Sequence, residues 1–419
     1  MVKTVKDIEL EGKRVIMRVD FNVPMKDGKV EDDERIVAAI PTINYLLRHK
    51  VRSLVLMSHL GDPEKDLKKA EDKAKKQNVP FDKNKYMEGK HKMFPVSQYL
   101  SKKLGKNVEF ATSCFGQLQK VESLPTGGIL MLENTRFEKG EKGKDENERE
   151  ALAKELASYG EVFVNDAFGS AHRMHASTST IAKYTKHAVA GLLMEKEIIH
   201  LEPVLNNAKK PFTAIIGGAK VSSKISVLKS FLYKATTLII GGGMAYTFLK
   251  ATGHSIGKSI LEEDYIDVAI SLLKEAKERG VNIILPCDHV CAKNFAEDEE
   301  PIVENAIDIP SNLIGMDVGH LTIEEYKKAI FSSKTIVWNG PVGVFEFPAF
   351  AKGTEEVAKA VAEATEKGAI SIVGGGDSVA ALNRFNLSSK MTHVSTGGGA
   401  SLEYLEGKIL PGIACLETL

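Results

Sequence analysis

The chain has 419 residues, 43% hydrophobic and 27% charged, a globular composition too long for one ordinary core, so two domains of about 200 residues each are expected. Lys+Arg and Asp+Glu balance at 56 each, which leaves no global field to hold nucleic acid or an anionic membrane; any anion site must come from local clustering. No apolar run reaches signal-peptide or bilayer length, and Cys114, Cys287, Cys291 and Cys415 show no disulfide-scaffold spacing, which together point to the cytoplasm and to no membrane partner.

Short β-rich runs alternate with amphipathic stretches along the chain. The first half gives RVIMRVDF (14–21), a helix near 35–50, SLVLMSH (53–59), GILML (128–132) and EVFVND (161–166). Two highly charged segments, 62–92 and 138–150, interrupt the pattern and read as solvated loops or exposed helices. A boundary fits near 186–191, giving domains 1–186 and 187–419, with the helix-like MEKEIIHLEPVL (194–205) as connector and the last residues free to pack back on the first domain. The second half repeats the alternation with TAIIGG, TLIIGGG, NIILP, TIVWNG, ISIVGGG and THVSTGGG. The predicted fold is therefore α/β: two similar-sized domains, each a mostly parallel sheet flanked by helices, joined by a hinge helix.

Four strands of the second half end in glycine clusters, at 217–218, 241–243, 374–376 and 397–399. Carboxyl ends of parallel strands border the ligand crevice, glycine lets a ligand approach the backbone, and the helix N-termini that follow offer free N–H groups to phosphate. Lys220 and Lys224 are four apart and share a face if their segment is helical; Asp377 is a hard-oxygen donor suited to Mg²⁺ carried in with a nucleotide. The plainer reading is two surface lysines and a helix-capping aspartate, and Asp377 can do both jobs. No G-x-G-x-x-G is present, and GHSIGKS (253–259) has three residues between its glycines where a P-loop needs four.

The first half carries Asp20 and Asn22 at a strand end, and Arg35, His59, Arg136, His172 and Arg173 spread along the chain. Several directly follow strands, and in a parallel sheet such positions converge on one edge, where arginines bind carboxylate and phosphate. Taken singly, Arg35 reads as the start of an exposed helix and His59 as a core or turn histidine. His172-x-x-His175 lacks a third ligand, and Cys287 and Cys291 around His289 lack a second pair, so neither reads as a zinc site.

Taken together, RVDFNVP (18–24), SHLG (58–61), LENTRF (132–137), NDAFGSAHRMHAS (165–177), GGAKVSSK (217–224), GGGMAYTFLK (241–250), WNGPVGVFE (338–346), GGGDS (374–378) and STGGGASLEYLEGK (395–408) closely resemble the phosphoglycerate kinase family. The resemblance implies a monomeric, hinge-bending kinase of glycolysis with 3-phosphoglycerate and ATP/ADP as ligands. It implies a triose site of Asp20, Phe21, Asn22, Arg35, His59, Leu60, Gly61, Arg136 and Arg173. The implied nucleotide site is Lys220, Lys224, Gly315, Asn339, Glu346 near the ribose, Gly375, Gly376, Asp377 near the metal, and Ser378, with Arg35 and Lys220 as the catalytic pair. One departure stands out: the family usually reads HLGRP where this chain has His59-Leu60-Gly61-Asp62-Pro63. Asp62 is therefore not expected to be a substrate contact, and a lysine of the 62–92 segment could supply the missing cation. Alternatives are a non-catalytic nucleotide-binding scaffold and a kinase acting on another carboxylate.

Overall fold

Strands Ser53–Met57 and Val162–Asn165 are buried at every residue, and Arg14–Arg18 at all but its first, as required when helices cover both faces of a parallel sheet. In the computed structural model, which describes residues 1–87 and 89–419, these strands form the centre of a six-stranded sheet. Glu88, inside the charged 62–92 segment, lies outside the described residues. The strand order is Val108–Phe110, Gly128–Met131, Ser53–Met57, Arg14–Arg18, Val162–Asn165, His187–Ala190, and every pairing is parallel. Helix Glu34–Arg48 packs on it through Ile36, Ala39, Ile43 and Leu46, a three-and-four spacing, with Glu34 and Arg48 matching the helix dipole at its two ends.

A second six-stranded sheet runs Asn282–Ile284, Thr237–Ile240, Phe212–Ile216, Thr335–Asn339, Ile370–Gly374, His393–Val394, again parallel throughout. Beside it lies an antiparallel sheet of Ile302–Glu304, His289–Ala292 and Ile314–Val318. The chain thus has the two-sheet α/β architecture read from its alternating pattern.

Two compact units result: Met1–Ile198 together with Ile409–Leu419, and Ile199–Lys408. The division falls inside helix Leu192–Asn207. The start of that helix is held by the first unit, because Asp166 Oδ1 accepts from Leu193 N (2.9 Å) and Met194 N (3.1 Å), and Thr42 Oγ1 accepts from Leu192 N at 3.1 Å. The final residues are tied down equally firmly. Asn165 Nδ2 donates to Gly412 O at 2.8 Å, Lys3 Nζ pairs with Glu417 at 2.9 Å, and Leu410 and Leu416 are buried.

The charged segments differ from one another. Residues 62–92 form helices Pro63–Gln77 and Lys83–Met87; the first buries only Pro63 and Ala74 and relies on its ends, with Asp62 as N-cap and Asn78 in the left-handed region at the C-cap. The 138–150 segment is not simply solvated: Glu141 is fully buried, and the hydroxyls of Thr135 (3.1 Å) and Ser177 (2.5 Å) hold it there.

Because Leu410 is 2% exposed, Leu410→Ala should destabilise the protein by about 2–5 kcal/mol, the range for a core leucine. Urea denaturation followed by circular dichroism checks this; a change within roughly 0.5 kcal/mol, typical of surface positions, would mean that the C-terminal residues do not support the first unit.

Candidate functional site

In the first unit, Arg18 pairs with Met57 on one side and Asn165 on the other, so the segments beginning at Val19, Ser58 and Asp166 leave the sheet at one edge. There Asp20 Oδ1 accepts from Arg35 at 3.1 Å and from Asn22 N at 3.2 Å. Burial would raise the Asp20 carboxyl, but Arg35, His59 and Arg18 outweigh it and hold the group below its ordinary value. Asn22 Oδ1 in turn accepts from Gly61 N at 2.7 Å, and Arg136 donates to Gly61 O at 2.7 Å. Arg136 Nε is buried without a hydrogen-bond partner, a donor left for something else to satisfy. Asp20, Asn22, Arg35, His59, Gly61 and Arg136 are therefore gathered at one edge. Phe21 and Leu60 are tied to it through their main chains, Phe21 N donating to Ser58 Oγ (2.9 Å) and Leu60 O accepting from Asn134 Nδ2 (2.7 Å). Arg173 is exposed, and close enough to lower the affinity of His175 for a proton.

Arg18 escapes a reading that treats RVIMRV as an apolar run. It is fully buried, donating from Nε to Ser177 Oγ at 2.8 Å, with its NH2 3.0 Å from His59 Nδ1. A charge inside such a run is itself the signal, since an unpaired buried guanidinium would be prohibitive. Asp62 has structural work: it caps helix Pro63–Gln77, accepting from Lys65 N at 3.3 Å, and lies 3.8 Å from Arg136. The lysine that meets it is Lys142, at 2.8 Å, which comes from the 138–150 segment and not from 62–92.

In the second unit, Asn339 pairs with Ile216 and Gly374, which brings Gly217, Gly340 and Gly375 side by side. They border a cavity of about 380 Å³ whose lining also includes Lys220, Lys224, Asn339, Gly376, Asp377 and Ser378. The segment carrying the two lysines is not helical; helix Ile225–Leu232 begins after Lys224, which is its N-cap, so a turn brings both lysines to the cavity. Lys224 Nζ donates to Asn339 Oδ1. Burial pulls the Lys224 ammonium below its ordinary value, while the Asp377 carboxylate opposes that shift. Ser378 Oγ accepts from Gly340 N at 2.6 Å, and helix Gly376–Arg384 starts here without a side-chain cap, leaving N–H groups for an anion. Gly375, at φ +95°, could not carry a Cβ, which would lie 2.4 Å from Asn339 Nδ2.

A second cavity, about 480 Å³, shares Gly218, Ala219 and Asp377 with the first and is lined by Gly315, Met316, Ile260, Val344 and Glu346. Its apolar walls suit a flat base, as the glycine cavity suits polyphosphate. Lys258, from the GHSIGKS stretch, also lines it. Asp377, at the junction, fits Mg²⁺ arriving on a nucleotide, since that ion keeps several waters and needs only one or two carboxylates. Among the described residues no group of three or more His, Cys, Asp or Glu could cage a metal, and no helix is long and apolar enough to cross a membrane.

A glycine-lined cavity and an apolar slot thus meet at one sheet edge, and a guanidinium cluster stands at another, an arrangement with room for an anionic ligand at each. Comparison with known proteins narrows this. The phosphoglycerate kinase family matches residues 5–408. A Treponema pallidum (strain Nichols) protein named phosphoglycerate kinase is 54% identical over 418 residues, with 100% of both chains covered. One from Borrelia hermsii is 52% identical over 418 residues, covering 99% of each. The solved phosphoglycerate kinase of Coxiella burnetii superposes with a TM-score of 0.85 at 43% identity, covering 99% of this chain and 98% of that one; the Pyrococcus horikoshii structure gives 0.80 at 31%, with the same coverage. This chain belongs to the phosphoglycerate kinase family.

The cationic edge carries a pH signature. Burial pushes His175 down to about 4 and His59 well below the ordinary histidine value of 6.5. The unfolded chain therefore takes up protons near pH 6.5 that the folded chain refuses, so stability falls as pH drops from 6.5 toward 4. Melting temperature against pH should decline over this window, and His175→Gln should make the decline shallower; an unchanged slope would show that His175 titrates normally in the fold.

Proposed function

We propose that the chain catalyses reversible phosphoryl transfer between ATP and the carboxylate of 3-phosphoglycerate, giving ADP and 1,3-bisphosphoglycerate. The observation that carries this reading is the cluster of Arg35, His59 and Arg136 on one sheet edge, three nitrogenous groups able to meet an acid that bears both a carboxylate and a phosphate. Another carboxylate without the phosphate would leave part of that cluster, including the buried Arg136 Nε, unsatisfied.

A carboxylate nucleophile needs no deprotonation, and the transition state spreads negative charge over the transferring oxygens, so positioning and charge stabilisation dominate. Arg35 is suited to this because Asp20 fixes its guanidinium at 3.1 Å while the side chain stays 37% exposed. Lys220, exposed at the mouth of the glycine cavity, supplies the cation on the nucleotide side. Lys224, Asn339 and the N–H groups of Gly376 and Asp377 would hold the phosphates, and Glu346 the ribose. Mg²⁺ carried by the nucleotide would neutralise phosphate charge, with Asp377 as the side chain able to hold it. The family resemblance supports a cytoplasmic monomer.

Arg35→Ala and Lys220→Ala should each lower kcat by at least about a hundredfold, a floor set below the roughly 10³–10⁵ that an arginine can contribute to phosphoryl transfer. Steady-state assays check this, and near-normal kcat in either variant would remove that residue from the catalytic pair. Since each ligand belongs to a different unit, transfer requires the units to bring the two together. The radius of gyration from small-angle scattering should then be smaller with both ligands than with either alone; an unchanged radius would contradict closure.

A further inference from the structure

Asp317 is the least expected charge in the second unit, and the transfer itself makes no use of it. It lies in strand Ile314–Val318, two residues after Gly315, and is 1% exposed. Its Oδ1 accepts from Val318 N at 2.9 Å and its Oδ2 from Gly353 N at 2.7 Å. No cation pairs with it among the described ion pairs, and burial pushes its carboxyl up to about 7. Such a group costs stability, so a well-packed apolar side chain would serve a purely structural strand better.

What surrounds it explains the cost. A Cβ on Gly343 would lie 2.0 Å from Asp317 Oδ1, and one on Gly353 2.3 Å from the same atom, so both backbones rest against the carboxylate. Gly343 is in the wall of the apolar slot, with Val344 and Glu346, while Gly315 and Met316 on the strand form its floor. Wall and floor are joined directly by Val344 N to Met316 O at 2.8 Å. From the far side, helix Lys352–Glu366 grips the same wall: Thr354 Oγ1 accepts from Val342 N at 3.2 Å, and the N–H of Gly353 is the one bound by Asp317. Asp317 thus stands where floor strand, wall segment and helix start meet, without touching the slot itself.

We propose that Asp317 is a positioning residue for nucleotide recognition, setting the distance between the strand that floors the slot and the 341–346 segment that walls it. This rests on reading the slot as the nucleotide-base site. A carboxylate does this where leucine would not, because it binds the helix start and is narrow enough to let two glycine backbones lie against it. Loss of the carboxylate frees the wall to shift, which weakens nucleotide binding while leaving the guanidinium edge of the other unit intact.

The test is calorimetric titration of Mg·ADP into the wild-type chain, Asp317→Ala, Asp317→Asn and Gly353→Ala, with steady-state kinetics alongside. Asp317→Ala should weaken ADP binding at least tenfold and raise the nucleotide KM in parallel. Its KM for 3-phosphoglycerate should not change, and kcat at saturating nucleotide should fall less than threefold. Asp317→Asn keeps one acceptor oxygen and should recover most of the affinity. Gly353→Ala lies outside the slot but displaces the carboxylate, and should reproduce the nucleotide-specific loss; it carries the test if Asp317→Ala does not fold. A folded Asp317→Ala or Gly353→Ala that binds ADP as tightly as wild type would overturn the proposal, as would parallel losses for both ligands. If the wild type itself binds no ADP, the nucleotide reading of the slot fails, and this inference with it.

Discussion

Every pairing in the two large sheets is parallel, and this single constraint organises the rest. Parallel strands end together, so the segments leaving Arg18, Met57 and Asn165 emerge at one edge, as do those leaving Ile216, Asn339 and Gly374. Residues far apart in sequence become neighbours without any long-range motif to announce them. Asp20 meets Arg35, and Lys224 meets Asn339 across 115 positions. Functional groups placed on such ends inherit their geometry from hydrogen-bonded register and not from flexible loops.

Charge is distributed to match. The chain as a whole is neutral, yet the first edge concentrates guanidinium and imidazole groups, each guanidinium held by a specific acceptor: Arg35 by Asp20, Arg136 by the carbonyl of Gly61, Arg18 by Ser177. The second edge relies chiefly on backbone N–H groups and two lysines around glycines. The proposed ligands would account for the difference. A small rigid acid with two anionic ends calls for directional forks, whereas a flexible polyphosphate is better followed by closely approaching backbone.

Much of this is legible in the sequence, because strand ends announce themselves when an apolar run stops at a polar or glycine residue. Asp20, His59, Lys220 and Asp377 can be placed at edges on that ground alone. The roles of Arg18 and Asp317 are harder to read, since each is a buried charge in a strand run whose partner, Ser177 or Gly353, lies well along the chain. Glu141 is hidden in a segment that resembles a solvated charge run, since only the fold brings Thr135 and Ser177 to it. Asp62 is visible as a departure from the family pattern, but its partner is not. That partner, Lys142, lies 80 residues away, and helix capping by Asp62 leaves no trace beyond an aspartate before a proline. The lysines at 220 and 224 do share one cavity, although a turn and not a helix brings them there.

Whether the two edges work on one reaction is measured directly by a coupled assay of the full chain with 3-phosphoglycerate, ATP and Mg²⁺. ADP should form at a rate that depends on all three, and omission of 3-phosphoglycerate should abolish it. Nucleotide binding with no turnover on 3-phosphoglycerate would contradict a shared reaction and leave a protein that keeps the fold and the nucleotide site without the transfer.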